Sequence, residues 1–187
     1  MPRARVTRAA AIVAGLVLVF GGWYLGSPLF IRTTANEVLP TAAVAAPTAS
    51  ATPGATAGGA TATPACTSAT SLSRRGQLQY VDALHNGKGA VVMGVSSLLR
   101  CGVVGDAYFL RFEDVAITNA PDVHVYLSPD RGGKWNDATS KYVGALKATN
   151  GSFNYDVDPS DAAIYKSVIV WCRAFSVLVT WADLDRV

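Results

Sequence analysis

The chain has 187 residues, with 16 Lys and Arg against 13 Asp and Glu. Arg3, Arg5 and Arg8 stand ahead of an apolar run, so the rest of the chain carries 13 charges of each sign, which argues against a nucleic-acid binder with an extended basic face and leaves room only for a small local patch. Roughly the last 115 residues can form a core, enough for one domain of common size and no second.

Ala9 to Ile31 contains no charged side chain. At about 1.5 Å per helical residue it can cross a hydrocarbon core of about 30 Å. Three arginines precede it and Arg32 alone follows closely, so the positive-inside rule places the N-terminus in the cytoplasm and the rest outside. Residues 1–32 therefore predict a basic tail and a single-pass anchor in the cell membrane. Secretion after signal-peptide cleavage is the alternative. The basic opening suits it, but the apolar run is long and Ala43-Val44-Ala45 lies too far beyond it to serve as the cleavage site.

From Thr33 to about Ser71 the sequence is almost wholly Ala, Thr, Pro, Gly and Ser, without apolar periodicity. Such a segment cannot bury enough surface to offset its ordering entropy. Residues 33–76 therefore predict a disordered stalk with a root-mean-square span of about 35 Å. The Thr and Ser content suits O-glycosylation, and Asn150-Gly151-Ser152 is formally an N-glycosylation sequon.

Beyond Gln77, short apolar runs alternate with clusters of Gly, Pro, Asn and Asp, and no helical period lasts three turns. Residues 77–187 predict an all-β domain, an antiparallel sandwich or partly closed barrel. The expected strands are Gln79 to Leu84, Gly89 to Val95, Ala107 to Phe112, Val123 to Ser128, Tyr142 to Leu146, Ser152 to Val157, Ser167 to Cys172 and Ala174 to Trp181. Val123, Val125 and Leu127 alternate with Asp122, His124 and Tyr126, giving one core face and one wetter face. Val168-Ile169-Val170-Trp171 is apolar on both faces, as in a strand covered on both sides. Asp158-Pro159-Ser160-Asp161 suits the start of one helical turn.

Three cysteines in an oxidising compartment cannot all pair within one chain. Cys66, at the end of the stalk, and Cys101, at a Cys-Gly turn, are the candidate disulfide. Cys172 follows the most apolar strand and reads first as a small core hydrophobe. Two histidines cannot build a zinc cluster, and although His85, His124 and Cys172 formally supply a blue-copper set, their spacing does not fit one, so no metal is expected. The plain reading of His124 is a strand histidine hydrogen-bonded to Asp122. Ser128, His124 and Asp130 lie too close on one strand and turn to form a hydrolase triad, and no Gly-rich loop opens a helix.

Three segments carry a resemblance: Leu110-Arg111-Phe112-Glu113-Asp114; the run from Thr118-Asn119-Ala120-Pro121-Asp122-Val123-His124 to Val125-Tyr126-Leu127-Ser128-Pro129; and Val168-Ile169-Val170-Trp171-Cys172-Arg173-Ala174-Phe175-Ser176-Val177. Together, over about Gln79 to Leu184, they resemble the DM-thirteen domain, which accompanies DOMON modules in animal Skeletor-type proteins and stands alone in bacterial exported proteins. The resemblance implies a β-rich fold and a signature cysteine that maps to Cys172, with a redox or electron-transfer role suggested for it. The chain departs in Ala120, where the family often has Gly, and in the extra Cys66 and Cys101.

Two functions of different class follow. The first is an electron-transfer module centred on Cys172, with a redox partner protein and any cofactor unspecified by the sequence. The second is a non-catalytic binding or adhesion module that uses the 128–137 loop, with Trp135 as an exposed aromatic anchor and with Asp122 and His124 as further candidate binding residues.

Overall fold

The computed structural model describes residues 2–30, 32–40, 67–99 and 106–187. Helix α1, Pro2–Phe30, precedes a short strand β1, Thr34–Asn36. The domain then runs β2 Thr67–Gln77, β3 Gly87–Leu99, β4 Asp106–Ile117, β5 Val123–Ser128, β6 Lys141–Ala145, β7 Asn150–Asp156, α2 Asp161–Ile164, β8 Ser167–Cys172, β9 Val177–Asp183 and β10 Asp185–Arg186. The strands form two sheets, one of order β1-β7-β4-β3-β2-β10 and one of order β6-β5-β8-β9. Every pairing is antiparallel except β1 with β7. The fold is thus an all-β two-sheet sandwich and not a closed barrel.

Among the described residues no helix is long and apolar enough to cross a membrane. The span expected from Ala9 to Ile31 ends on a residue outside that set, and several of its side chains also lie outside it.

Alternation in the sequence becomes packing between the sheets. Leu110 and Phe112 of β4, Val91 and Met93 of β3, and Phe153 and Tyr155 of β7 meet Val125 and Leu127 of β5 and Val168, Val170 and Cys172 of β8 in one core. Phe112 stacks on Phe153 with ring centroids 5.1 Å apart. A buried phenyl ring contributes about 2–3 kcal/mol through the water it sheds, and stacking adds about 1 kcal/mol. Tyr155 belongs to the same core, and its burial lifts the phenol pKa to about 12. Its hydroxyl donates to Ala145 O and accepts from the Lys147 N–H, so the buried oxygen is satisfied.

Three expectations differ from what is found. Gln79 to Leu84 is a loop and not a strand. The Asp82 carboxylate accepts from the Leu84 and His85 N–H groups while Val81 and Asp82 donate to His85 O, which closes a local turn in place of a ladder. Thr34–Asn36 and Thr67–Gln77, inside the segment read as stalk, are strands of the larger sheet. Their backbones gain ladder bonds from partners far away in sequence, which composition does not disclose. The face of β5 expected to be wetter is covered, and all six of its residues are buried. The helical turn near Ser160 does form, with Asp161 Oδ2 accepting from the Asp158 N–H at 2.8 Å.

Candidate functional site

At one corner of the sandwich the C-terminal end of β8 pairs with the N-terminal end of β5, Cys172 opposite Val123 and Trp171 opposite His124. Successive strand residues point to opposite faces. Cys172 therefore enters the core with Val168 and Val170, while His124 and Trp171 share the outer face.

Cys172 is fully buried and is a free thiol. The disulfide candidates Cys66 and Cys101 lie outside the described residues. The Cys172 S–H donates to Pro121 O at 2.8 Å. That carbonyl belongs to the turn Ala120-Pro121-Asp122-Val123, in which Asp122 takes φ +60°. Proline followed by a residue of positive φ is the pattern of a type II turn, where glycine or asparagine is the usual third residue. Asp122 is held there by its neighbours: its carbonyl accepts from the Arg173 N–H at 3.0 Å and its carboxylate from His124. Left-handed backbone at a residue with a side chain costs of order 1 kcal/mol. The thiol's hydrogen-bond partner is thus one carbonyl on a strained turn at the edge of the core.

On the outer face His124 Nε2 lies 2.7 Å from Asp122 Oδ1 and Nδ1 lies 3.2 Å from the Tyr142 hydroxyl. A carboxylate only accepts, so Nε2 donates to Asp122, and in the neutral imidazole Nδ1 is left to accept from Tyr142. Arg173 Nε donates to the Tyr126 hydroxyl at 2.6 Å, and the guanidinium sits 4.6 Å from the Tyr142 ring centroid. The hydrogen bond to Tyr126 raises the Arg173 pKa above its ordinary value.

Trp135, expected as an exposed anchor, instead covers this face. It stacks on Trp171 at 4.6 Å and meets the Tyr126 ring edge-on at 6.0 Å. Gly133 allows this, since at φ +70° a Cβ there would lie 2.7 Å from the Trp181 ring. Trp135 Nε1 is buried without a hydrogen-bond partner. A cavity of about 420 Å³ lies beside the cluster, lined by Tyr126, Trp135, Asp137, Tyr142, Trp171 and Arg173 among others. A second, of about 320 Å³, is lined by Asn119, Ala120, Asp122, His124 and Thr33 among others.

The structure thus brings Asp122 and His124 together and places Trp135 on the same outer face, while the Cys172 side chain lies on the core side and reaches the Asp122 turn only through Pro121 O. Tyr126, Tyr142, Trp171 and Arg173 complete the outer cluster. Tyr126 was legible in the sequence because it shares the alternation of Asp122 and His124. Tyr142 and Arg173 join only through strand pairing. Among the described residues no group of three or more His, Cys, Asp or Glu could hold a metal ion.

The family model described as electron transfer DM13 matches residues 85–184, which contain the whole corner. The chain belongs to that family. No curated protein and no solved structure matches the chain. Within this DM13 domain the matched span begins at His85, so β1 and β2 precede it although both belong to its larger sheet.

Proposed function

We propose that the chain is a membrane-anchored, extracytoplasmic electron-transfer domain whose redox group is the Cys172 thiol. The observation that carries this reading is an unpaired cysteine, inside the segment matched to an electron-transfer family, buried in the core and hydrogen-bonded to the Pro121 carbonyl of a strained turn. The thiolate is the species that exchanges with a disulfide. A fully buried Sγ exchanges only after the Pro121–Asp122 turn opens, so the turn gates the chemistry. The anchor in this reading is the uncharged run from Ala9 to Ile31, longer than the part of α1 whose side chains are described, and the large apolar side chains from Ile12 to Tyr24 stand exposed with no cover from the domain, as lipid-facing residues would be.

Full-length protein in vesicles, treated with a small disulfide oxidant, tests this. Residue 172 is expected to form a mixed disulfide at a rate that becomes independent of oxidant concentration, the signature of rate-limiting opening. Cys172→Ser should abolish the product. A Cys172 that stays unmodified at every oxidant concentration overturns the reading.

The cavity beside Trp135 favours a second reading, a binding module using the outer aromatic face. Under that reading Trp135→Ala abolishes capture of a ligand while leaving Cys172 oxidation unchanged. Unaltered ligand capture by Trp135→Ala excludes the aromatic face.

A further inference from the structure

We propose that the domain does not hang from its helix on a tether but seats directly on the bilayer, through one end of the sandwich whose loop tips enter the lipid headgroup and acyl boundary. This rests on the reading of α1 as the membrane anchor.

The connection leaves little freedom. Helix α1 ends at Phe30, and Thr34 is already paired with Asn150 of β7. Four extended residues span at most about 14 Å. The docking of β1 is also built into the partner strand. Gly151 has φ +98°, and a Cβ there would stand 2.1 Å from Ala35 O, so only glycine permits this approach. Thr33 and Thr149 exchange backbone and side-chain hydrogen bonds at 3.1 Å. Glu37 accepts from the Asn154 N–H and pairs with Lys147.

The chain therefore enters the sandwich at the end where β7 begins, and hydrogen bonds tie the other loops of that end into one rim. Thr149 N–H donates to Thr33 Oγ1, Ile117 N–H to Thr149 O, Thr118 N–H to Asn86 O, and Arg173 N–H to Asp122 O. The same loops expose Tyr80, Leu84 and Phe175 to 67%, 74% and 52%. Single apolar side chains on a surface need no explanation. A tyrosine, a leucine and a phenylalanine on the loops that surround the membrane exit match the composition of an interfacial contact. The loop after β5 and the segment after β7 are held by ion pairs, Arg131 with Asp183 and Lys141 with Asp158 and Asp161, as the rim loops are by Asp82 with His85 and Lys147 with Glu37, so the apolar tips and not the absence of charge mark the rim. The cavity lined by Thr33, Asp122 and His124 belongs to the rim, so what reaches that corner arrives along the bilayer surface.

Hydroxyl-radical footprinting of the full chain in phosphatidylcholine–phosphatidylglycerol nanodiscs tests the seat, with Ile164, exposed in α2 beyond β7, as the internal control. Tyr80, Leu84 and Phe175 are expected to lose oxidation several-fold relative to Ile164 on moving from detergent to bilayer. Gly151→Val, which displaces β1, should restore it, and Glu37→Gln, which keeps the glycine, should restore it in part. Oxidation of Tyr80 and Phe175 unchanged by the bilayer, in protein that resists alkaline extraction from membranes, overturns the seat and leaves the anchor standing. Release of the chain by alkaline extraction overturns the anchor and the seat with it.

Discussion

Replacing Cys172 by alanine and by serine separates a core cysteine from one whose hydrogen bond matters. Alanine removes a sulfur from a site with no exposure, costing about 1–2 kcal/mol in lost transfer energy and residual cavity. It also strips Pro121 O of its donor, and a buried carbonyl left unpaired costs about 1–3 kcal/mol. The sum is about 2–5 kcal/mol. Serine keeps a donor aimed at the same carbonyl and forfeits mainly sulfur packing, about 1–2 kcal/mol. Serine should therefore be the milder change by about 1–3 kcal/mol, the reverse of the order for a merely apolar pocket, where a buried hydroxyl is the worse substitute. With a urea slope of about 1–3 kcal/mol per molar, the two midpoints should differ by roughly 1 M. Alanine as stable as serine, or more so, refutes the argument that Pro121 O depends on this thiol.

Two further outcomes follow from charge. Burial acts to raise the Glu37 pKa, yet the Asn154 N–H and Lys147 outweigh it and hold the carboxyl below its ordinary value. A depressed carboxylate contributes stability present above the unfolded value, about pH 4.3, and lost as pH falls through the folded one. Amide protection of β1 should accordingly fall below about pH 4, more than that of the central strands, and Glu37→Gln should flatten this difference in hydrogen exchange. Burial acts to lower the Lys141 pKa, but its hydrogen bonds to Asp158 and Asp161 hold it raised. Asp161 is buried and also accepts from the Asp158 N–H, so Asp161→Asn should cost about 2–3 kcal/mol in urea unfolding, whereas an effect below 0.5 kcal/mol, the scale of an ordinary surface change, would show that Lys141 finds sufficient partners elsewhere.

The strands legible in the sequence were those whose side chains alternate against a buried face. β5 and β8 were bounded correctly because Val123-Val125-Leu127 and the doubly apolar Val168–Trp171 state their own burial. β1 and β2 were not legible. Thr-Ala-Asn and Thr-Ser-Ala-Thr-Ser carry no apolar face, and what orders them is a backbone ladder supplied by β7 and β3. The loop of residues 78–86 misled for the opposite reason, since Tyr80, Val81 and Leu84 look like strand residues but point to the outside. At the site, the burial of Cys172 and the Asp122–His124 bond were both readable from local pattern. The covering role of Trp135 was not, because it depends on Gly133 folding a polar loop back onto Trp171.

The parallel pairing of β1 with β7 also changes what proteolysis can do. A protease that cuts between Pro40 and Thr67 severs the only covalent link between the helix and the rest of the sandwich, yet β1 would remain as a separate peptide completing its host's sheet. The nicked molecule would be a two-chain complex held together by that pairing. Separating the two chains would then need a second event, a mechanical pull or an acid pulse that breaks the Glu37 contacts and strips the short strand from its groove.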